Sequence, residues 1–363
     1  MRFVKLMTLI SPVSIVALAL ASCLPRASAD QGFGATTDPV GPNAAGGFET
    51  PVNQLVVPAG RQVELPDMRP QALALSPDKR LLVTAGQTHE LVVLDPSNGN
   101  VLQRVPFPDA GRNHAPAAGA NPVAPDVNAR LSYTGLVFAP DGSRLYMANL
   151  DGDVKVFAVQ KDHKLNGLFS IPLPPCQGLG RAAEIPSGIA VSPDGKRLYV
   201  VLNLSNRLAE LDAETGRVLR LWDVGVEPYD VVLSQSKAYV SNWGGRRPDA
   251  PSLTGPAGLG TFVRVDPLHH VPGEGSLSII DLNHNTPAVE LLTGLHASGL
   301  AVSPNGRYVA LANAGSDTLS VIDTRTDQIV ETICARQDPG DPFGAQPNAV
   351  AFDKAGGWIF TGN

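Results

Sequence analysis

The chain has 363 residues, 43% hydrophobic and 17% charged, with a formal net charge of −6. That acidic balance argues against general affinity for nucleic acid, whose phosphates call for a basic face. With 36 glycines, 32 prolines and only three cysteines, the composition excludes a disulfide-framed miniprotein and points to a turn-rich fold.

The N-terminus reads as an export signal over residues 1–29. Arg2 and Lys5 precede the apolar run LMTLISPVSIVALALA, and ASA (27–29) fits a small-residue cleavage site. A competing reading places lipid attachment at Cys23, within LASC, which would be the only tie to a membrane. Either way the expected location is the periplasm, the cell envelope or the medium. Residues 30–49, rich in Gly, Thr and Ala, read as a flexible leader.

From residue 50 a repeat takes over. QALALSPDKRLLVTAG, TGLVFAPDGSRLYMAN, SGIAVSPDGKRLYVVL, YDVVLSQSKAYVSN, SGLAVSPNGRYVALAN and PNAVAFDKAGGWIFTGN are six copies, with turn starts 42 to 69 residues apart. Each copy predicts a strand, a tight turn, a second strand, a third ending in Asp, and a fourth. The fold class expected for 50–363 is therefore an all-β propeller of four-stranded blades. The last copy stops at Asn363 after two strands. It reads as a blade cut short; the competing reading is a six-bladed ring closed by residues 50–67.

The excess length falls at 107–132, 174–186, 243–275 and 335–347. Each segment follows a fourth strand or lies between a second and a third, so all four should project from one rim. Long loops on one side of a rigid scaffold favour binding or catalysis.

GGRRP (244–248) places Arg246 and Arg247 at the root of the longest insertion, with Asn242 and Trp243 leading into it. Arg264 lies further along this insertion, and Arg112, Arg130, Arg181 and Arg336 lie in other rim loops. Converging arginines suit an anionic ligand, a small molecule or a cell-surface polymer. Interleaved acids such as Asp249, Asp266 and Glu274 allow the plainer reading of a solvated rim with internal ion pairs. His89, His114, His269, His270 and His296 fall on the same rim, and His163 and His284 on the other. Without CxxC, HxxxH or HExxH spacing no metal site is assigned, and no cofactor is implied. GxSxG, Walker and GxGxxG signatures are also missing, so no catalytic residue is named. Asp95, Asp212, Asp281 and Asp323 end third strands and read as turn caps. Cys176 and Cys334 read as free thiols, with one disulfide as the lesser alternative.

SPDGKRLYV, VSNWGG and SPNGRYVALANAGSDTLSVIDTRTDQIVETI resemble the YVTN-type β-propeller repeat of exported surface proteins. RPQALALSPD, EIPSGIAVSPDGKRLYV, YVSNWGGRRP and TGLHASGLAVSP further resemble the propeller half of exported proteins in which an alkaline-phosphatase-type phosphoesterase domain follows. The resemblance implies a recognition scaffold that serves such a domain. No residue here matches that domain's metal ligands or nucleophile. An enzyme remains the alternative, through that domain or as a rim-centred lactonase-type hydrolase.

Overall fold

The repeated S-P-D-G stretch builds the turn its chemistry requires. In one copy Ser192 Oγ bonds Asp194, the Gly195 N–H donates to Ser192 O at 2.8 Å, and Gly195 sits at φ 71°. Such a turn needs a residue that accepts left-handed φ, which glycine does without a Cβ clash. Strands rich in Val, Leu, Ile and Tyr then pair on either side of it.

The computed structural model describes residues 39–42, 47–49, 55–57, 60–109, 124–336, 338–340 and 343–362. The expected signal segment, Cys23, Arg112 and His114 lie outside the described residues. The chain divides into two units, Met1–Gln62 and Val63–Asn363. The first contains a small antiparallel sheet of β1 (Gly41–Pro42), β2 (Phe48–Glu49) and β3 (Leu55–Val56).

The second unit is a succession of blades. Blade 1 comprises β4 (Pro70–Leu75), β5 (Leu82–Gly86), β6 (Glu90–Leu94) and β7 (Val101–Pro106). Blade 2 comprises β8 (Leu131–Phe138), β9 (Arg144–Asn149), β10 (Asp153–Val159) and β11 (Leu165–Pro172). Blade 3 comprises β12 (Pro186–Val191), β13 (Arg197–Leu202), β14 (Arg207–Asp212) and β15 (Val218–Asp223). Blade 4 begins with β16 (Pro228–Ser234) and β17 (Lys237–Asn242). A separate hairpin, β18 (Thr254–Gly258) and β19 (Thr261–Arg264), interrupts it before β20 (Gly275–Asp281) and β21 (Val289–Thr293) complete the sheet. Blade 5 comprises β22 (Ala297–Val302), β23 (Tyr308–Asn313), β24 (Thr318–Asp323) and β25 (Gln328–Cys334). A two-stranded sheet of β26 (Ala349–Phe352) and β27 (Ile359–Gly362) follows. Within each four-stranded sheet every neighbouring pair is antiparallel. Among the described residues β27 pairs with β26, and β3 pairs with β2.

The cores sit between blades. Leu91, Phe107, Met147, Phe157 and Leu165 join blades 1 and 2; Tyr146, Phe169, Ile171, Leu198 and Leu211 join blades 2 and 3. Trp222, Val240 and Ile280 continue the series, and Tyr239, Leu277 and Leu311 join blades 4 and 5. Each blade thus depends on its neighbours to bury its faces. Cys176 and Cys334 are free thiols. No helix among the described residues is long and apolar enough to cross a membrane.

The strand order puts the insertions at 107–132, 174–186 and 335–347 between an outer and an inner strand, and 243–275 between β17 and β20. In an antiparallel sheet these junctions share a rim. Two of the insertions touch there, where the Leu179 N–H donates to Leu259 O at 2.7 Å. The third-strand aspartates act as turn caps: Asp95 accepts from Ser97 N, Asp212 from Thr215 N, Asp281 from Asn283 N and Asp323 from Arg325 N.

Candidate functional site

The sequence-selected residues separate into three places. Asn242 is fully buried, directly opposite Ser276 on β20. Its amide donates to Ser276 Oγ at 2.9 Å and Ser278 Oγ at 2.8 Å. The same use recurs where β23 ends: Asn313 Nδ2 donates to Thr318 and Ser320. The asparagine of this motif therefore fastens the second strand to the third and does not face the rim.

Arg246, Arg247 and Arg264 line a groove of about 530 Å³ with Trp222, Asp223 and Glu290. Their charges are met within the protein. Arg246 forms a forked pair with Glu274 at 2.7 and 2.9 Å, a hydrogen bond that raises its own pKa and lowers that of Glu274. Arg247 donates to Val224 O at 2.7 Å and to Asp223 at 3.2 Å. Arg264 donates to Arg247 O at 3.0 Å and pairs with Asp249 at 3.1 Å. Burial raises the carboxyl pKa of Glu290, opposed by hydrogen bonds from Ser278 and Ser276. His269 lies in the exposed part of this insertion against Asp266 at 3.1 Å, and the neighbouring His270 adopts a left-handed φ of 57°. Among the described residues no group of three or more His, Cys, Asp or Glu could hold a metal ion.

Trp243 and His296 meet elsewhere. Their ring centroids are 5.1 Å apart, and Trp243 lies 6.0 Å from Tyr229, which is 5.7 Å from Tyr133. These four side chains come from blades 2, 4 and 5, so the row spans the end of the central channel on the insertion rim. Glu227 stands beside it, acting on Tyr133 and accepting a hydrogen bond from Thr261 of the hairpin at 3.0 Å. Glu227, His296 and Gln346 hold the same place before the inner strands β16, β22 and β26, and all are left-handed, at φ 50°, 53° and 45°. Tyr133, one position later in its own copy, has φ 48°. Non-glycine residues in this region store about 1 kcal/mol or more each and cluster at functional sites.

Thr134 and Asp230, each next in sequence to a tyrosine of the row, line a cavity of about 590 Å³ with Gly299, Leu300 and Asn348, extending between Gln71–Leu73 and Phe360–Gly362. Among the described residues Asp230 is the one charged residue of its lining. Its carboxylate accepts from Val231 N at 2.8 Å and from Leu300 N of the next blade at 3.0 Å. Removal from water pushes its pKa up to about 6, against the pull of those two N–H donors. Among the described residues the Trp243 indole N–H and the Ser132 and Thr134 hydroxyls are buried without a hydrogen-bond partner.

Tyr133, Glu227, Tyr229 and Asp230 were not selected from sequence, because inner strands read as core. A signal was present. Where the other inner strands carry Ala72, Gly135, Gly188, Gly299 and Ala349, blade 4 carries Asp230, and it carries Tyr229 where they have short polar side chains or Gln71.

No protein-family model and no curated protein matches the chain. Among solved structures it is similar to the β-propeller domain of Cps50 (Swd1) from Myceliophteria thermophila, with a TM-score of 0.51 and 14% identity. That overlay covers 82% of this chain and 80% of the other. The chain folds as a β-propeller. Hydrazine synthase from Kuenenia stuttgartiensis overlays with a TM-score of 0.45 and 17% identity, covering 84% of this propeller chain and 95% of that one. At these identities the likeness concerns architecture alone.

Proposed function

We propose that this chain is an exported recognition scaffold whose ligand enters at the channel mouth on the elaborated rim. One observation carries the reading. Blade 4 breaks the repeat at Tyr229 and Asp230, bears the longest insertion, and turns Trp243 into the aromatic row. A rule kept by the other inner strands and broken where a channel opens marks a site rather than a packing need.

Export is supported by the basic, apolar and small-residue order before Asp30. The motif likeness supports work beside an alkaline-phosphatase-type phosphoesterase, with the propeller holding a substrate or envelope polymer for it. Bond cleavage would then belong to that domain, and no catalytic role is given to a residue of this chain.

The test compares binding to purified cell-envelope polymers by two variants, each checked for folding by circular dichroism. Trp243→Leu should weaken binding about tenfold or more, since a stacked aromatic contributes on the order of 1–3 kcal/mol. Arg264→Ala, in the outer groove, should leave it within about twofold. The opposite pattern would move the site to the arginine groove.

A further inference from the structure

We infer that the channel mouth selects a small organic cation, a quaternary or protonated amine, held by the Tyr133–Tyr229–Trp243–His296 row and the Glu227 and Asp230 carboxylates. This rests on the mouth being the ligand site and adds the chemical class of the ligand.

Three observations lead there. The first is the row itself. Tyr133 is 36% exposed, and Trp243 and His296 are partly exposed, so aromatic surface is open to a ligand. Aromatic faces attract cations through the ring quadrupole, by about 1–2 kcal/mol when water is excluded. The second is the sign of the surrounding charge. Glu227 acts on Tyr133 and Asp230 acts on Tyr229, and among the described residues the nearest cation in the repeat register is Arg69, which is exposed before the inner strand of blade 1 and acts on neither ring. Asp230, held by two backbone N–H groups, is half-buried in the cavity lining, where a carboxylate is stabilised by a cation brought near it. The third is the set of unpaired groups. Of these, the Thr134 hydroxyl belongs to the cavity lining beside Asp230, where it could bond a polar end of the same ligand. The outer groove differs on the second point, because Glu274, Asp223 and Asp249 already meet its guanidiniums.

Isothermal titration near neutral pH with choline and its uncharged carbon isostere, dimethylbutanol, tests this on the folded protein. Choline should bind about tenfold more tightly than the isostere, the difference a desolvated cation–π and carboxylate site provides. Glu227→Gln should weaken choline about fivefold and leave the isostere unchanged, and Tyr133→Leu should weaken both. Equal affinity for the two probes, or binding of neither, overturns the cationic class. A neutral sugar that binds and loses affinity in Tyr133→Leu would keep the mouth as the site while rejecting the cation. Choline binding unchanged in both variants would reject the mouth itself.

Discussion

Asp230 breaks the pattern of small residues on the inner strands. It occupies a position where the neighbouring copies need a small side chain, and it is held by the backbone of blade 5 rather than by a cation. Its pKa rises from 3.8 to about 6. Between those values folded Asp230 keeps a proton that the unfolded chain has released, so stability falls as pH rises through that window. Above about pH 6 the full cost is present, on the order of 1–3 kcal/mol after allowing for the retained hydrogen bonds. Asp230→Asn should flatten this part of the trend; because its single carbonyl oxygen can accept from Val231 N or Leu300 N but not both, the slope and not the absolute stability is the readout. Urea melts of both proteins across that pH range read the difference directly, which removes the contributions of Asp153 and Glu290, whose pKa values burial also raises. A variant that keeps the parent's slope would show that Asp230 is better solvated than its surroundings imply. Asn242 teaches the reverse lesson. Its motif stands out in sequence, yet it is spent on hydroxyls of the next strand.

At the scale of elements, inner strands approach so closely that side chains are excluded. A Cβ on Gly188 would lie 2.5 Å from Asp230 Oδ1 and 2.8 Å from Val231 N, and one on Gly135 would lie 2.2 Å from Ser187 O. Gly195 is glycine for another reason: at φ 71° it has open space around it but needs a left-handed backbone. Gly188→Ala should therefore cost more than Gly195→Ala. The first forces two strands apart, on the order of 3 kcal/mol or more, while the second costs about 1–2 kcal/mol of backbone strain. Thermal melts of the two variants make the comparison, and equal losses would mean that the inner strands yield more easily than their spacing implies. The turns and strands were legible because Ser, Pro, Asp and Gly have local reasons to sit where they do. The rim assignment followed from strand alternation alone. Internal ion pairing of the rim arginines with interleaved acids was legible, but which acid meets Arg246 or Arg264, and the use of Arg247 on backbone carbonyls, was not, because it depends on how a 33-residue insertion folds back on itself.

Across the whole propeller, the cores between blades fix the inner strands and so hold side chains from distant parts of the sequence at one mouth. Tyr133 and His296 are 163 positions apart, yet the aromatic row links them through Tyr229 and Trp243. Self-similarity revealed the scaffold, whereas the candidate site lies where self-similarity fails, and only the assembled blades bring those failures together. Of the residues chosen from sequence, Trp243 and His296 reach the mouth, while Arg246, Arg247 and Arg264 occupy the outer groove. The central claim is that ligand binds at this mouth, and hydrogen–deuterium exchange with and without saturating ligand tests it most directly. The account predicts slowed exchange in segments 131–136, 227–231, 243–245, 296–300 and 346–350, drawn from blades 2, 4 and 5 and the last hairpin. Slowed exchange confined to 246–250 and 285–290, with the mouth unchanged, would contradict it.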